Sequence, residues 1–466
     1  MITNYSVGNF KVFSDRTNFK LAPITLIYGP NSSGKSSIIQ SLIVLKESLL
    51  NSNVLKSNNS FFELGGYLSV VHNHEPKNKI SFDIDVDDTI YEFEYAYNID
   101  HNISYLNSCV VKNKENNAVD LTFSAKNVSK QGVNFFSIDY EDDFSKKLIK
   151  KNNFINDVKK YLDERKPIAE SEINKYLKKT TFTRKNNILP SRISRIDNNL
   201  KDYLKDDEIL RVTNMFYQEI TTELSRFINN KDRKLFNLLN NLSYIGPLRP
   251  HPKRVYQLDG GVSNSVGQNG ENFLSFLILE EDYINKVNDF LESFNINYKI
   301  EVVRSNDAVV GDMASILLRH KKTNIQTTLV DVGFGIGQLL PILIEGIVKE
   351  RSTICIEQPE IHLHPKLQAD LANFFVQDIK SSKANQWVIE THSEALLLRF
   401  QRLIRHKVIS PNDISIIYVD PNEDGVRTIH IPLDDDGDFM VEWPNGFFEE
   451  RVDEMFGGNP LEEGLK

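Results

Sequence analysis

The sequence predicts an α/β fold that combines a mostly parallel sheet with an antiparallel β subdomain and a nested helical insert. Three observations support this fold class. An apolar strand runs into a glycine-rich loop and a helical pattern at residues 24–49. Apolar strand candidates at 353–357, 387–390 and 414–419 are separated by segments long enough for crossovers. Between these regions the apolar period changes from two residues to that of a helix.

The glycine-rich loop has the spacing of a phosphate-binding loop. Gly29 and Gly34 enclose four residues and are followed by Lys35 and Ser36. Glycines allow successive backbone N–H groups to face a phosphate, the lysine reaches the β- and γ-phosphates, and the serine hydroxyl can bind Mg²⁺. The loop therefore predicts a nucleotide site.

The middle of the chain is organised differently. Alternating apolar residues at 80–86 and 91–97 predict an antiparallel meander. Helical spacing follows at 144–162 and again at 209–227. We expect three parts: residues 1–140 and 241–466 form the two halves of the nucleotide-binding head, and residues 141–240 form the insert. Strand candidates at 300–303 and 315–318 complete the second half.

Composition bounds the functions available to the chain. Its 466 residues carry a net charge of −9, and no apolar run approaches the roughly 20 residues that span a bilayer. We expect a cytoplasmic protein without a membrane partner. Cys109 and Cys355 are the two cysteines, so neither a disulfide framework nor a zinc hook can form within the chain.

The insert has a strong local charge. Residues Lys146 to Lys201 contain 16 Lys or Arg and 6 Asp or Glu, a local excess of 10 positive charges in an acidic chain. Such a segment can bind nucleic acid or an acidic partner, although a solvated helical face is the more frequent meaning of a charge run.

Three further elements carry polar residues toward the phosphate loop. Strand 353–356 ends in Glu357, and an acidic residue at the end of a buried strand can hold a nucleotide-bound Mg²⁺. The next strand delivers His392 to the same edge of the sheet, within reach of a γ-phosphate. Residues 331–338 form a glycine-rich turn before an apolar helix, a second anion site at a helix N-terminus.

Together, and in this order, these elements resemble the ABC-type ATPase head of the RecF, SMC and Rad50 class, and in particular the stand-alone OLD-like ATPases of bacterial antiviral defence. The resemblance implies an ABC-type P-loop NTPase head that uses ATP and Mg²⁺. It places the Walker A loop at Gly29, Pro30, Asn31, Ser32, Ser33, Gly34, Lys35, Ser36 and Ser37. It places the signature motif at Gly333 to Gln338, with Gly335, Gly337 and Gln338 as nucleotide contacts. The Walker B strand would be Thr353 to Glu357, the metal ligands Ser36 and Glu357, and the switch histidine His392. The ending at residues 443–448 also resembles that stand-alone subgroup.

Two positions depart from the family pattern. Gly335 stands where relatives usually have serine, so contacts to the γ-phosphate would come from backbone N–H groups. Gln358 follows Glu357 where many relatives have a second acid, and an amide can orient a water molecule but cannot take its proton. We therefore expect slow hydrolysis, or a base at Glu360.

In this class the signature turn of one subunit closes over the nucleotide of the other. The leading hypothesis is thus a homodimer, or a higher homo-oligomer, that acts as an ATP-dependent sensor or scaffold for a separate protein effector, a nuclease or toxin. An alternative is a DNA-repair ATPase that binds DNA through Lys146 to Lys201. A self-sufficient OLD-type nuclease is less well supported, because only about 70 residues follow His392. The acidic run 434–438 is more typical of an exposed turn than of a metal cluster.

Overall fold

The computed structural model describes residues 1–51, 54–129, 132–139, 181–184, 188–190, 192–195, 207–258, 264–309, 311–422 and 425–444. The chain divides into two compact units. The first contains Met1, residues 20–39 and the chain from Leu242 onward, and the second contains residues 2–19 and 40–241. The antiparallel meander therefore groups with the insert, although the sequence suggested that it belongs with the nucleotide-binding head.

The strands of the described residues, in chain order, are β1 (Ile2–Gly8), β2 (Thr17–Lys20), β3 (Ile24–Tyr28), β4 (Ile80–Val86), β5 (Thr89–Asn98), β6 (Ile103–Asn113), β7 (Val119–Ser129), β8 (Gly132–Asp139), β9 (Thr181–Thr183), β10 (Arg192–Arg195), β11 (Leu242–Ile245), β12 (Tyr256–Gln257), β13 (Tyr298–Asp307), β14 (Gly311–His320), β15 (Gln326–Thr328), β16 (Thr353–Glu357), β17 (Gln386–Glu390), β18 (Ile414–Asn422) and β19 (Gly425–His430). The α-helices are α1 (Lys35–Asn51), α2 (Tyr67–Val70), α3 (Asp207–Asn240), α4 (Phe273–Leu279), α5 (Glu281–Ser293), α6 (Phe334–Val348), α7 (Pro365–Lys380) and α8 (Glu394–Arg405). Within the described ranges, none of these helices combines the length and the apolar character that crossing a membrane requires.

A six-stranded sheet forms the centre of the first unit, in the order β11-β16-β17-β3-β18-β19. Its neighbouring strands are parallel, except that β19 runs antiparallel to β18. Every residue of β3, β16 and β17 is buried, as expected for parallel strands with both faces covered. The predicted mostly parallel sheet is therefore confirmed.

Aromatic packing anchors the helices to this sheet. Trp387 of β17 lies with its ring centroid 4.7 Å from that of Phe375 and 5.9 Å from that of Phe374, both on α7. The indole Nε1–H of Trp387 donates to the buried carboxylate of Asp378 at 2.7 Å. A buried indole needs such a partner, so the apolar packing and the hydrogen bond fix the same helix against the same strand.

A smaller antiparallel sheet also belongs to the first unit, with β12 and β15 on β14 and β13 on its other side. It confirms the strands predicted at 300–303 and 315–318, which are longer than the sequence suggested. The side chain of Asn288 on α5 binds both the N–H and the C=O of Ile300, at 2.7 and 3.1 Å. One amide thus satisfies backbone groups on the outer edge of β13 that a neighbouring strand would otherwise take.

The second unit is built on an antiparallel sheet, whose described strands lie in the order β10-β9-β8-β7-β6-β5-β4-β1-β2. The predicted meander forms its middle. Phe82 pairs with Phe93 and Ile84 with Tyr91 across β4 and β5, and all four side chains are buried. Alternating apolar residues on one face are what a half-buried sheet requires.

The insert is helical only in part. The spacing at 209–227 is confirmed, since α3 runs from Asp207 to Asn240. However, β9 and β10 extend the antiparallel sheet, which helical periodicity did not predict. Phe182 explains this, because its buried ring packs edge-on to Phe123 with centroids 6.4 Å apart. The helix predicted at 144–162 and most of the segment from Lys146 to Lys201 lie outside the described residues.

Candidate nucleotide site

The order of the central strands brings the predicted site residues to one edge of the sheet. Strand β17 lies between β3, which leads into the phosphate loop, and β16, which ends at Glu357. The register pairs Glu390 with Ile27 on one side and with Glu357 on the other. The carboxyl ends of parallel strands meet at the same edge, where ligands of open α/β sheets bind.

The phosphate loop is tightly curled. Gly29 has φ 148°, and an added Cβ there would lie 2.4 Å from the carbonyl oxygen of Val419. Gly34 has φ 101°. Only glycine fits such backbone conformations without strain, so both glycines of the motif are required by the geometry of the loop. Helix α1 begins directly after them, at Lys35.

Lys35 is a buried cation at the start of this helix. Its Nζ donates to the carbonyl oxygens of Gly29 at 3.0 Å and Pro30 at 2.7 Å. Burial lowers the pKa of the Lys35 ammonium, and the negative charges of Glu390 and Glu360 oppose that shift. The loop thus holds one positive charge at its centre, as phosphate binding requires.

Glu357 is buried at the end of β16, and two side chains from the neighbouring segment hold it. The hydroxyl of Tyr244 is hydrogen-bonded to the Glu357 carboxylate. Burial, followed by the charge of Glu357, raises the pKa of Tyr244 well above its ordinary value, so the phenol is the donor. Arg249 donates from Nη2 to the carbonyl oxygen of Glu357 at 3.3 Å.

Gln358 turns the chain away from β16. Its φ is 46°, and its backbone N–H donates to the carbonyl oxygen of Glu390 at 2.7 Å. A left-handed residue at this point costs free energy and persists only where the surroundings enforce it. Strands β16 and β17 are therefore tied together just beyond their last paired residues.

Glu360 is the acid predicted as an alternative base. Its Oε1 accepts the backbone N–H of His392 at 2.7 Å, and its Oε2 accepts the hydroxyl of Thr391 at 2.8 Å. Burial raises the pKa of Glu360, while these hydrogen bonds favour its charged form. Each carboxylate oxygen is thus engaged in holding the loop that carries His392.

His392 lies close to the phosphate loop, as the sequence predicted. Burial lowers the pKa of its imidazole, and the positive charge of Lys35 lowers it further. The next residue, Ser393, caps α8 by accepting the N–H of Leu396 at 3.0 Å. Burial and the charge of Lys35 thus favour the neutral form of the imidazole, which sits on a loop fixed at both ends.

The glycine-rich turn precedes α6. Gly333 is the N-cap with φ 84°, and as a glycine it offers no side chain to cap the first N–H groups of the helix. Gly337 is required for packing, since an added Cβ would lie 2.6 Å from Pro252. Gln338 is buried, and its Nε2 donates to the carbonyl oxygen of Arg249 at 3.4 Å. Arg249 thus contacts both α6 and Glu357.

Sequence reasoning missed three residues of this site: Tyr244, Arg249 and Glu390. Tyr244 and Arg249 belong to residues 244–249, which in the sequence indicated only where the second half of the nucleotide-binding head begins. Glu390 is buried at the end of β17, accepts a hydrogen bond from Ser36, and has its pKa raised by burial. The signal that could have found it was its position, one acidic residue at the carboxyl end of a strand that reaches the phosphate loop.

The residues present suit Mg²⁺. The hydroxyl of Ser36 and the carboxylate of Glu357 offer the oxygen ligands that this ion prefers. Across the described part of the chain, no group of three or more His, Cys, Asp or Glu side chains is arranged to hold a metal by itself. The site thus suits an ion that takes several ligands from nucleotide phosphates and water.

The acidic run near the C-terminal end forms a turn, as the sequence favoured. Asp434 accepts the backbone N–H groups of Asp436 at 3.0 Å and Asp438 at 2.9 Å, and Asp438 pairs with Arg405 at 2.8 Å. Hydrogen bonds of this kind are typical of Asx turns. The ending at 445–448 lies outside the described residues.

The chain is similar to one protein family and to several solved structures. The AAA ATPase domain matches residues 1–397. Proteins of curated function give no match. Among solved structures, the SMC head domain from Thermotoga maritima is 9% identical with a TM-score of 0.37, covering 93% of this chain and 99% of its own. An Smc head domain bound to the C-terminal domain of ScpA, derived from Pyrococcus furiosus, is 12% identical with a TM-score of 0.39, covering 100% of this chain and 99% of its own. The family match spans most of the chain, which therefore belongs to the AAA ATPase domain family.

Proposed function

We propose that this ATPase closes head to tail with a second copy around ATP, and that the closed dimer controls a separate protein effector in antiviral defence. The observation that carries the proposal is the start of α6. Its first N–H groups follow Gly333 without a side-chain cap, and Gln338 links the same helix to Arg249 and so to Glu357. A helix start of this kind can receive the γ-phosphate held by another copy.

The residues of one chain divide the work of ATP binding. Lys35 and the N–H groups between Gly29 and Ser36 receive the phosphates, and Glu357 with Ser36 would hold Mg²⁺. When bound, this ion would neutralise charge on the β- and γ-phosphates. His392, held by Glu360, would sense the γ-phosphate. Loss of that phosphate on hydrolysis removes the contact that favours the closed dimer.

The experiment expresses the chain alone and with its genomic neighbour, and follows growth and nucleic-acid integrity with and without phage challenge. We expect no toxicity and no cleavage from the chain alone, and an effector activity that Lys35→Ala abolishes. Lys322→Ala, which removes an exposed lysine, is the matched control. Cleavage by the purified chain, lost on mutation of Asp434 to Asp436 but indifferent to Lys35→Ala, would contradict the proposal in favour of a built-in nuclease.

A second function is favoured by one specific observation, the local positive charge between Lys146 and Lys201. A DNA-repair ATPase would use this segment to bind phosphate backbones. Its binding would weaken steeply with salt, since each neutralised phosphate releases counterions. Titrating duplex DNA at several salt concentrations separates the two functions, because the scaffold does not need DNA.

A further inference from the structure

A second buried acid, Glu390, lies beside the place where the acid after Glu357 is missing. Gln358 stands next to Glu357 in sequence, but Glu390 stands next to it in the sheet, as its directly paired residue on β17. The N–H of Gln358 donates to the carbonyl oxygen of Glu390 at 2.7 Å. Glu390 and Gln358 therefore lie at the same edge of the sheet, where β16 and β17 end.

The environment of Glu390 is that of the phosphate loop. Its carboxylate is buried, accepts a hydrogen bond from Ser36, and interacts with the charge of Lys35. Its Oε2 has no hydrogen-bond partner among the described residues. A buried carboxylate oxygen without a donor is costly, so such a group in a functional site calls for a partner.

Glu360 differs in this respect. Both of its oxygens accept hydrogen bonds from the loop of His392, at 2.7 and 2.8 Å. Removing one of those bonds to accept a proton from water would release the loop. Of Glu360 and Glu390, Glu390 is the one with an oxygen available beside Ser36.

We propose that Glu390 is the catalytic carboxylate of this ATPase and replaces the acid that is absent at position 358. One O–H bond of the attacking water breaks, and its proton passes to Glu390. The water oxygen forms a bond to the γ-phosphorus, and the bond from that phosphorus to the bridging oxygen breaks, with its electron pair leaving on ADP. The proton on Glu390 then passes to the phosphate product or to solvent, which restores the carboxylate.

Glu390→Gln tests this assignment. The amide oxygen still accepts the hydroxyl of Ser36, so we expect ATP affinity within about threefold of the parent. Phosphate release should fall by at least about 100-fold, the usual contribution of a general base. The protein should retain ATP rather than ADP when bound nucleotide is extracted after one turnover. Glu301→Gln, at an exposed ion pair with Arg319, is the matched control.

Rescue distinguishes a chemical role from a merely structural one. The double variant Glu390→Gln with Gln358→Glu returns a carboxylate to the neighbouring position. We expect its rate of phosphate release to be at least about tenfold higher than that of Glu390→Gln alone. Glu390→Asp keeps the carboxylate, so its rate of phosphate release should lie between those of the parent and Glu390→Gln. Turnover within about threefold of the parent for a folded Glu390→Gln would overturn the proposal, as would a loss that Gln358→Glu leaves unchanged.

Discussion

The carboxylate of Glu360, in the turn after β16, is hydrogen-bonded to the loop that carries His392. It accepts the backbone N–H of His392 at 2.7 Å, so the acid fixes the position of His392 through the main chain. Thr391 strengthens the link by donating its hydroxyl to the other oxygen. Two hydrogen bonds thus connect the turn after β16 to the loop that carries His392.

This relationship predicts different outcomes for two substitutions of Glu360. Glu360→Gln keeps an acceptor for the N–H of His392, and turnover should stay within about fivefold of the parent. Glu360→Ala leaves buried donors unpaired and should lower the free energy of unfolding by about 1–3 kcal/mol per lost bond, with turnover falling further. Denaturant unfolding and phosphate release measure the two effects. Equal loss of activity in both variants would show that the Glu360 carboxylate itself acts in hydrolysis.

Lys35→Ala should abolish ATP binding. The substitution removes the buried ammonium that Gly29 and Pro30 hold at the centre of the loop, and phosphate charge would then be uncompensated. Direct calorimetric titration with Mg-ATP measures this, with Lys322→Ala as the control of equal charge change. ATP affinity that survives in Lys35→Ala would exclude the loop as the nucleotide site.

Tyr244→Phe should raise the Mg²⁺ concentration needed for tight nucleotide binding. The phenol donates to the carboxylate of Glu357, and a hydrogen bond to a charged group contributes about 1.5–3 kcal/mol. Binding of a fluorescent, non-hydrolysable ATP analogue during a Mg²⁺ titration gives the midpoint. Tyr283→Phe on α5 is the matched control. A lower melting temperature with an unchanged Mg²⁺ midpoint would limit Tyr244 to a structural role.

The pH dependence of stability should carry the signature of Asp378. Burial raises the pKa of this carboxyl from 3.8 to about 6. The folded state therefore binds the proton more tightly than the unfolded state, and this stabilising contribution is full below pH 3.8 and lost as pH rises through 6. The stability of the parent relative to Asp378→Asn should accordingly fall by at most about 3 kcal/mol between pH 4 and pH 7.5. Urea unfolding at both pH values checks this, and a parent advantage that grows with pH would contradict it.

Much of the first unit could be predicted because its signals are local. Apolar strands such as Ile24–Tyr28 and the spacing from Gly29 to Ser36 specify a strand, a loop and a helix within a short segment. The parallel direction of the strands then follows from the lengths of the connections between them. The meander was equally accessible, because Phe82 and Phe93 belong to a strict alternation.

The remaining features depend on contacts between distant residues. Nothing near Glu390 in sequence shows that it pairs with Glu357 or receives Ser36, since the order of β16, β17 and β3 decides both. Likewise, Tyr244 reaches Glu357 only because β11 lies beside β16. The strands at Phe182 escaped prediction because an aromatic contact with Phe123, rather than a periodic pattern, places them in the sheet.

The oligomeric state with bound nucleotide tests the central claim most directly. The purified chain would be analysed by size-exclusion chromatography with light scattering, in Mg²⁺ with a non-hydrolysable ATP analogue, with ADP, or without nucleotide. Head-to-tail closure around the γ-phosphate predicts twice the chain mass of 53.6 kDa with the analogue, the chain mass with ADP, and the chain mass for Lys35→Ala in every condition. An oligomeric state that is the same with the analogue, with ADP and in Lys35→Ala would contradict the account.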